Sequence, residues 1–226
     1  MNQQIVYDLT HFTTTDFVDH LSCIIWFTKC NMRCQYCYND DIVFAKKGNY
    51  TIDYVLDFLQ KRVGLLDGVV LSGGEATLNN LFTICTEIKK LGFKIKLDTN
   101  GLKPIDIQKL IDKKLVDFIS LDYKAPKYKF ESITKSNGYL DFEKTLNFLI
   151  EKEFDFEVRT TIHADLLTTQ DINNMVNYLH KLNYKNKYYL QEFLQTESNI
   201  GNLVKSTTYF DKTKIIQNKL DIVYRD

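Results

Sequence analysis

Apolar positions fall in short runs separated by stretches of helical spacing. Residues 23–27, reading Cys-Ile-Ile-Trp-Phe, predict a buried strand. In 52–63, Val55, Phe58, Leu59 and Val63 share one helical face, and Thr51 stands where an N-cap accepts backbone N–H groups. Residues 69–71 predict a second strand, and Leu81, Ile84, Cys85 and Ile88 line the next helix. A strand at 93–97, a helix at 105–113 and a strand at 118–123 follow. Phe142, Leu146 and Leu149 fit a helix, and 156–162 a strand. Residues 171–182 carry Ile172, Met175, Val176 and Leu179 at helical spacing, and 188–193 predict a sixth strand. The tail offers a short helical stretch near 211–217 and a strand candidate at 221–224.

Strand–helix alternation of this kind implies a parallel sheet covered by helices. About six units fall short of the eight in a standard barrel of about 250 residues. The fold class is α/β with parallel strands, either a doubly wound open sheet or a partial barrel. In both, chemistry collects at the C-terminal ends of the strands. Two prolines and nine glycines leave no linker-like tract, so residues 1–226 read as a single domain, with its core near 20–195 and a tail near 196–226.

Charge narrows the partners. Lys+Arg and Asp+Glu each number 29, a balance that argues against nucleic acid or an anionic membrane as a partner. No window approaches the roughly 18 apolar residues of a membrane span. The opening stretch 1–10 is polar, unlike a signal peptide. A cytoplasmic protein with reduced thiols is therefore expected.

Three of the five cysteines sit close together, as Cys30-Asn-Met-Arg-Cys34-Gln-Tyr-Cys37. A loop of this spacing can wrap three thiolates around one centre, and thiolates select zinc, copper(I) or iron–sulfur clusters. Structural zinc closes with four ligands, and no nearby pair offers a fourth at zinc-ligand spacing. A 4Fe–4S cluster held by three cysteines leaves one iron open to a non-protein ligand. The cluster is the preferred reading; zinc and unrelated buried thiols remain alternatives. Cys23 and Cys85 fall on apolar faces and read as core.

Three more motifs end successive strands. Ser72-Gly73-Gly74-Glu75 combines glycines that admit close backbone approach with a carboxylate that can hold an ammonium group. By itself it is a strand-to-helix turn. Leu97-Asp98-Thr99-Asn100-Gly101 reads by itself as an Asn-Gly turn, and Ser120-Leu121-Asp122-Tyr123-Lys124-Ala125-Pro126 as a solvated Asp/Lys pair. His163 and His180 read as structural.

In this order the motifs resemble the radical S-adenosylmethionine superfamily, whose signature is C-x3-C-x-(aromatic)-C, with Tyr36 as the aromatic. The resemblance implies a partial (β/α)6 barrel, one 4Fe–4S cluster on Cys30, Cys34 and Cys37, and S-adenosylmethionine on the open iron. One-electron cleavage of the sulfonium then gives methionine and a hydrogen-abstracting 5′-deoxyadenosyl radical. Asp-Thr-Asn-Gly followed by Asp-x-Lys is similar to the glycyl-radical-enzyme activases. Stretches 65–75, 122–126, 158–163 and 189–193 resemble the branch that activates anaerobic ribonucleoside-triphosphate reductase, and the likeness covers roughly 5–195.

That resemblance implies such a reductase as partner and a flavodoxin or ferredoxin as electron donor. Gly73, Gly74 and Glu75 would meet the amino group of the methionine moiety, and Asp98, Thr99 and Asp122 a monovalent cation. Lys124 and Arg159 would face its carboxylate or the ribose, and Gln191 the nucleoside; Tyr36 and Asn100 complete the cofactor-binding set. Departures from the family pattern are Ala76 for proline, Tyr38 for histidine, Ser120 for methionine, and Asp16-Phe17-Val18-Asp19 for Asp-Tyr-Pro-Gly. The alternatives are a small-molecule enzyme similar to 7-carboxy-7-deazaguanine synthase, and a non-enzymatic iron–sulfur or zinc module.

Overall fold

The computed structural model describes residues 3–225. Met1, Asn2 and Asp226 lie outside the described residues, and with them the start of the polar 1–10 stretch and both ends of the 1–226 span. The strands are β1 (Val6–Thr13), β2 (Ser22–Phe27), β3 (Gly68–Gly73), β4 (Lys94–Thr99), β5 (Phe118–Asp122), β6 (Phe156–Ile162), β7 (Tyr188–Glu192) and β8 (Ile222–Arg225). Between them lie α1 (Asp40–Phe44), α2 (Ile52–Gln60), α3 (Leu81–Lys90), α4 (Pro104–Asp112), α5 (Lys127–Thr134), α6 (Tyr139–Glu151) and α7 (Thr169–Lys181). Strand order in the sheet is chain order throughout. A doubly wound sheet reverses order at a switch point, so that alternative drops out and barrel-type winding remains. Among the described residues no helix is long and apolar enough to cross a membrane.

The chain divides into two compact units. The first comprises residues up to Asn31, Asp41–Thr99 and Lys103–Ser120. Here β2, β3 and β4 pair in parallel, in registers such as Ile24↔Val70 and Val70↔Lys96. Side chains alternate across a strand. Cys23, Ile25, Val69, Leu71, Ile95 and Leu97 therefore form one fully buried face. Cys85 on α3 is buried too, so both non-motif cysteines are core residues, as expected. On the opposite face Phe17, Ile24 and Val70 cluster with Trp26 and Phe118. Farther along, that face turns polar, through Ser72, Lys96 and Asp98. Thr51 caps α2 by accepting from the Tyr54 N–H.

β1 was not legible in the sequence. It pairs antiparallel with β2, with register irregularities at both ends, and these break the period-two pattern that would have revealed it.

The second unit comprises Met32–Asp40, Asn100–Leu102 and the chain from Leu121 onward. β6, β7 and β8 pair in parallel, with Arg159↔Tyr189 and Thr161↔Gln191↔Arg225 in register. Tyr123 stacks on Phe142 of α6. α7 opens with a capping box, Thr168 and Asp171 each accepting the other's backbone N–H. Asp171 also takes the Tyr128 hydroxyl at 2.6 Å and the Lys129 ammonium at 2.7 Å, which ties α5 to α7. α5 escaped the sequence reading because only Phe130 and Ile133 mark its apolar face.

Candidate active site

The glycine pair at the end of β3 is explained first by the chain itself. Gly74 N–H donates to Phe27 O at 2.9 Å, and Glu75 N–H to Lys29 O at 2.8 Å. A Cβ on Gly74 would fall 1.9 Å from Lys29 O, and one on Gly73, whose φ is 110°, 2.4 Å from Phe27 N and O. The end of β3 thus lies backbone against backbone along the segment that leads into Cys30. Close approach was expected for a ligand; it is made by the residues preceding the cysteine loop.

Glu75 is buried, 2% exposed. Its Oε1 accepts from the Thr77 hydroxyl at 2.6 Å, the Thr77 N–H at 3.2 Å and the Thr99 hydroxyl at 2.8 Å. The carboxylate caps the short 3₁₀ turn Ala76–Leu78, and Thr99 is drawn to it. On the polar face, Asp98 Oδ1 takes the Lys96 ammonium at 2.8 Å and Oδ2 the Ser72 hydroxyl at 3.0 Å. Lys96 and Asp98 are nearly dry, with side chains 6% and 11% exposed.

Cys34 and Cys37 belong to the second unit. Cys37 N–H donates to Cys34 O at 3.0 Å. Arg33 N–H and Gln35 N–H donate to Thr134 O and Ile133 O, the last carbonyls of α5, at 2.8 and 3.0 Å. Burial pushes the Cys34 thiol up to about 11, against the pull of the Lys124 ammonium; burial likewise raises Cys37. Tyr36 is buried, with the Lys124 ammonium 5.9 Å from its ring centre. Asp122 takes Arg159 Nε at 2.5 Å and Lys124 Nζ at 3.0 Å. Burial alone would raise the Asp122 carboxyl, but Arg159 and Lys124 outweigh it and hold it below the usual range. Burial opposes the charge on Lys124, yet Asp122, Tyr36 and Cys34 keep it well above the ordinary lysine value.

None of the five cysteines is in a disulfide, so the motif cysteines can serve as thiolate ligands, and Lys124 favours the charged form at Cys34. Among the described residues no three His, Cys, Asp or Glu side chains are gathered tightly enough for a single metal ion. Three cysteine thiols, one of them under the influence of the Lys124 ammonium, are the donor chemistry that thiolate-held iron–sulfur clusters take.

The family pattern of the Radical SAM superfamily matches residues 24–182. This chain belongs to the radical SAM superfamily. Its fold is shared with solved structures: the crystal structure of Streptococcus suis SuiB bound to S-adenosylmethionine superposes with a TM-score of 0.68 at 12% identity. That likeness covers 90% of this chain and 52% of the other, so the chain spans about half that protein's length. A Methanocaldococcus jannaschii protein named as a glycyl-radical enzyme activating enzyme is 32% identical over 181 residues, 76% of this chain and 73% of the relative. A 7-carboxy-7-deazaguanine synthase from Clostridium acetobutylicum is 24% identical over 165 residues, 70% of each chain. As a radical SAM protein, the chain uses a 4Fe–4S cluster and S-adenosylmethionine.

The radical SAM chain groups its expected residues unit by unit. The first holds Cys30, Gly73, Gly74, Glu75, Asp98 and Thr99. The second gathers Cys34, Tyr36 and Cys37 with Asp122, Lys124 and Arg159. Gln191 lies on β7 opposite Thr161. The Asn100 side chain serves its own turn, accepting from Leu102 N–H at 3.1 Å.

Three charged residues went unnoticed in the sequence: Lys96, Glu157 and Arg225. Lys96 pairs with Asp98. Arg225 lies 3.5 Å from the Tyr189 ring centre and pairs with Glu157 at 3.2 Å. The available signal was a charge two residues from another on one face of a strand, as in Lys96/Asp98 and Glu157/Arg159.

Proposed function

We propose that this chain is a cytoplasmic glycyl-radical activase, acting on an anaerobic ribonucleoside-triphosphate reductase and reduced by a flavodoxin or ferredoxin. The observation that carries the reading is the 32% identity to a protein named as a glycyl-radical enzyme activating enzyme, over three quarters of this chain. When bound, the cluster and S-adenosylmethionine supply one-electron cleavage of a sulfonium and a hydrogen-abstracting carbon radical. Cys30, Cys34 and Cys37 hold the cluster. The chain's own part is to bind, orient and exclude competing reactions. Lys124 and Arg159 present fixed positive charge to the carboxylate or ribose, with Asp122 holding both in place. Gly73, Gly74 and Glu75 set the amino-group side through the turn they build, and Gln191 faces the nucleoside.

The monovalent cation expected at Asp98, Thr99 and Asp122 meets a chain that already carries counter-charge: Lys96 on Asp98, Arg159 and Lys124 on Asp122. Wild-type cleavage of S-adenosylmethionine should therefore run equally well in potassium and in tetramethylammonium buffers. Lys96→Met leaves Asp98 without that partner and should slow by about ten-fold in tetramethylammonium, recovering with potassium. Strong potassium dependence in the wild type would show that a cation binds in addition to Lys96.

The function is tested by mixing the reduced, cluster-loaded protein with its cognate reductase and S-adenosylmethionine without oxygen. A glycyl-radical doublet in the EPR spectrum is expected. If 5′-deoxyadenosine forms and no doublet follows, the substrate is a small molecule, the second reading favoured by the likeness to 7-carboxy-7-deazaguanine synthase.

A further inference from the structure

The segment after β7 returns to the cysteine loop. Ile200 N–H donates to Cys37 O at 3.0 Å, and Gly201 N–H to Gln35 O at 2.8 Å. Ser198 adds a hydroxyl bond to Asp40 at 3.1 Å. On its other edge the loop leans on α5, through the Arg33 and Gln35 N–H groups. Gln35 is thus pinned on both sides, its N–H on α5 and its carbonyl on Gly201. The stretch carrying Cys34 and Cys37 runs as the middle ply of three.

The strap is itself built rigidly. Asn199 is buried, and its side chain closes a turn by donating to Leu203 O at 2.8 Å and accepting from Leu203 N–H at 2.7 Å. A Cβ on Gly201 would stand 2.7 Å from Gln35 O, so only glycine permits this approach. Farther on, Val204 O lies 2.8 Å from His163 Nε2. Ser206 accepts from Ala164 N–H, and Asp165 accepts from the N–H groups of Thr207 and Thr208. The strap is anchored at the end of β6 as well as at the cysteine loop.

We propose that residues 198–201 are positioning residues for the iron–sulfur cluster: by holding the carbonyls of Gln35 and Cys37 they preset the Cys34 and Cys37 thiols and slow the loss of iron. This rests on the cluster reading of the three cysteines. The strap holds the carbonyls of Gln35 and Cys37 through its own N–H groups, so its side chains can be changed without altering a ligand.

The test is the rate at which reconstituted protein yields iron to a chelator, together with hydrogen exchange of the apoprotein. Gly201→Val and the double variant Ser198→Ala/Asn199→Ala should release iron about ten-fold faster than wild type, the scale of one or two net backbone hydrogen bonds. Exchange should quicken in the peptide spanning 33–38, with the melting temperature little changed. Should Gly201→Val fail to fold, the double variant carries the test, since it introduces no bulk. Faster exchange at 33–38 with iron release at the wild-type rate would overturn the proposal. A wild-type protein that takes up no iron would overturn the cluster reading and the strap with it, and the two failures are told apart by that one control.

Discussion

Cys34→Ala should give a folded protein that forms no measurable 5′-deoxyadenosine. Cys34 is buried in a loop whose shape is set by main-chain bonds, from Arg33 and Gln35 to α5 and from Cys37 to Cys34 O. None of these needs the thiol. Alanine therefore removes the proposed ligand and leaves its scaffold standing. Loss of a supporting group around a metal typically costs about 10–100-fold, and loss of a ligand should exceed that. The measurement is chromatographic: deoxyadenosine from anaerobically reconstituted protein with dithionite, beside iron content. Cys23→Ala and Cys85→Ala are the matched controls. Both remove buried thiols from the core, so they should lower stability slightly and retain cluster and product. Undiminished product from Cys34→Ala would remove Cys34 from the ligand set.

Gly74→Ala should be among the most damaging single-methyl changes the chain can suffer. The new Cβ would lie 1.9 Å from Lys29 O, a backbone atom that cannot swing aside as a side-chain tip can. Relief requires the end of β3 to part from the Phe27–Lys29 segment, breaking the Gly74–Phe27 and Glu75–Lys29 hydrogen bonds. The loss should be about 2–4 kcal/mol, a drop in melting temperature of about 5–15 °C for a chain of this size. Iron uptake should fall with it, because the displaced segment leads straight into Cys30. Gly64→Ala is the contrast: its φ is 78°, but nothing lies within 4 Å of the added Cβ, so it carries backbone strain alone. Wild-type melting and iron uptake in Gly74→Ala would refute the backbone-contact account.

What could be read from the sequence follows a physical division. Elements whose stability is written into their own residues were visible: β6 falls at the predicted 156–162, and Thr51 caps α2 as its hydroxyl suggests. Elements that owe their form to a distant partner were not. β1 pairs irregularly along β2, α5 has little apolar face of its own, and the strap at 198–201 is defined by bonds to residues 35 and 37. The same split holds at the site. The order of cysteines, glycines and acids along the chain was legible, because each motif is local. Of the counter-charges, Lys124 and Arg159 were legible through the family pattern and Lys96 only as a charge two residues from Asp98, whereas Arg225 was not, because it meets Glu157 across β7.

The double duty of Asp171 bears on how a metal-poor preparation would be diagnosed. The carboxylate that starts α7 also fastens α5, and the last carbonyls of α5 carry the loop of Cys34 and Cys37. Damage at this remote cap would surface as a cofactor deficiency, curable by cooling or by a stabilising substitution. A missing thiol would not respond to either. Iron content followed against temperature thus separates a scaffold lesion from a lost ligand.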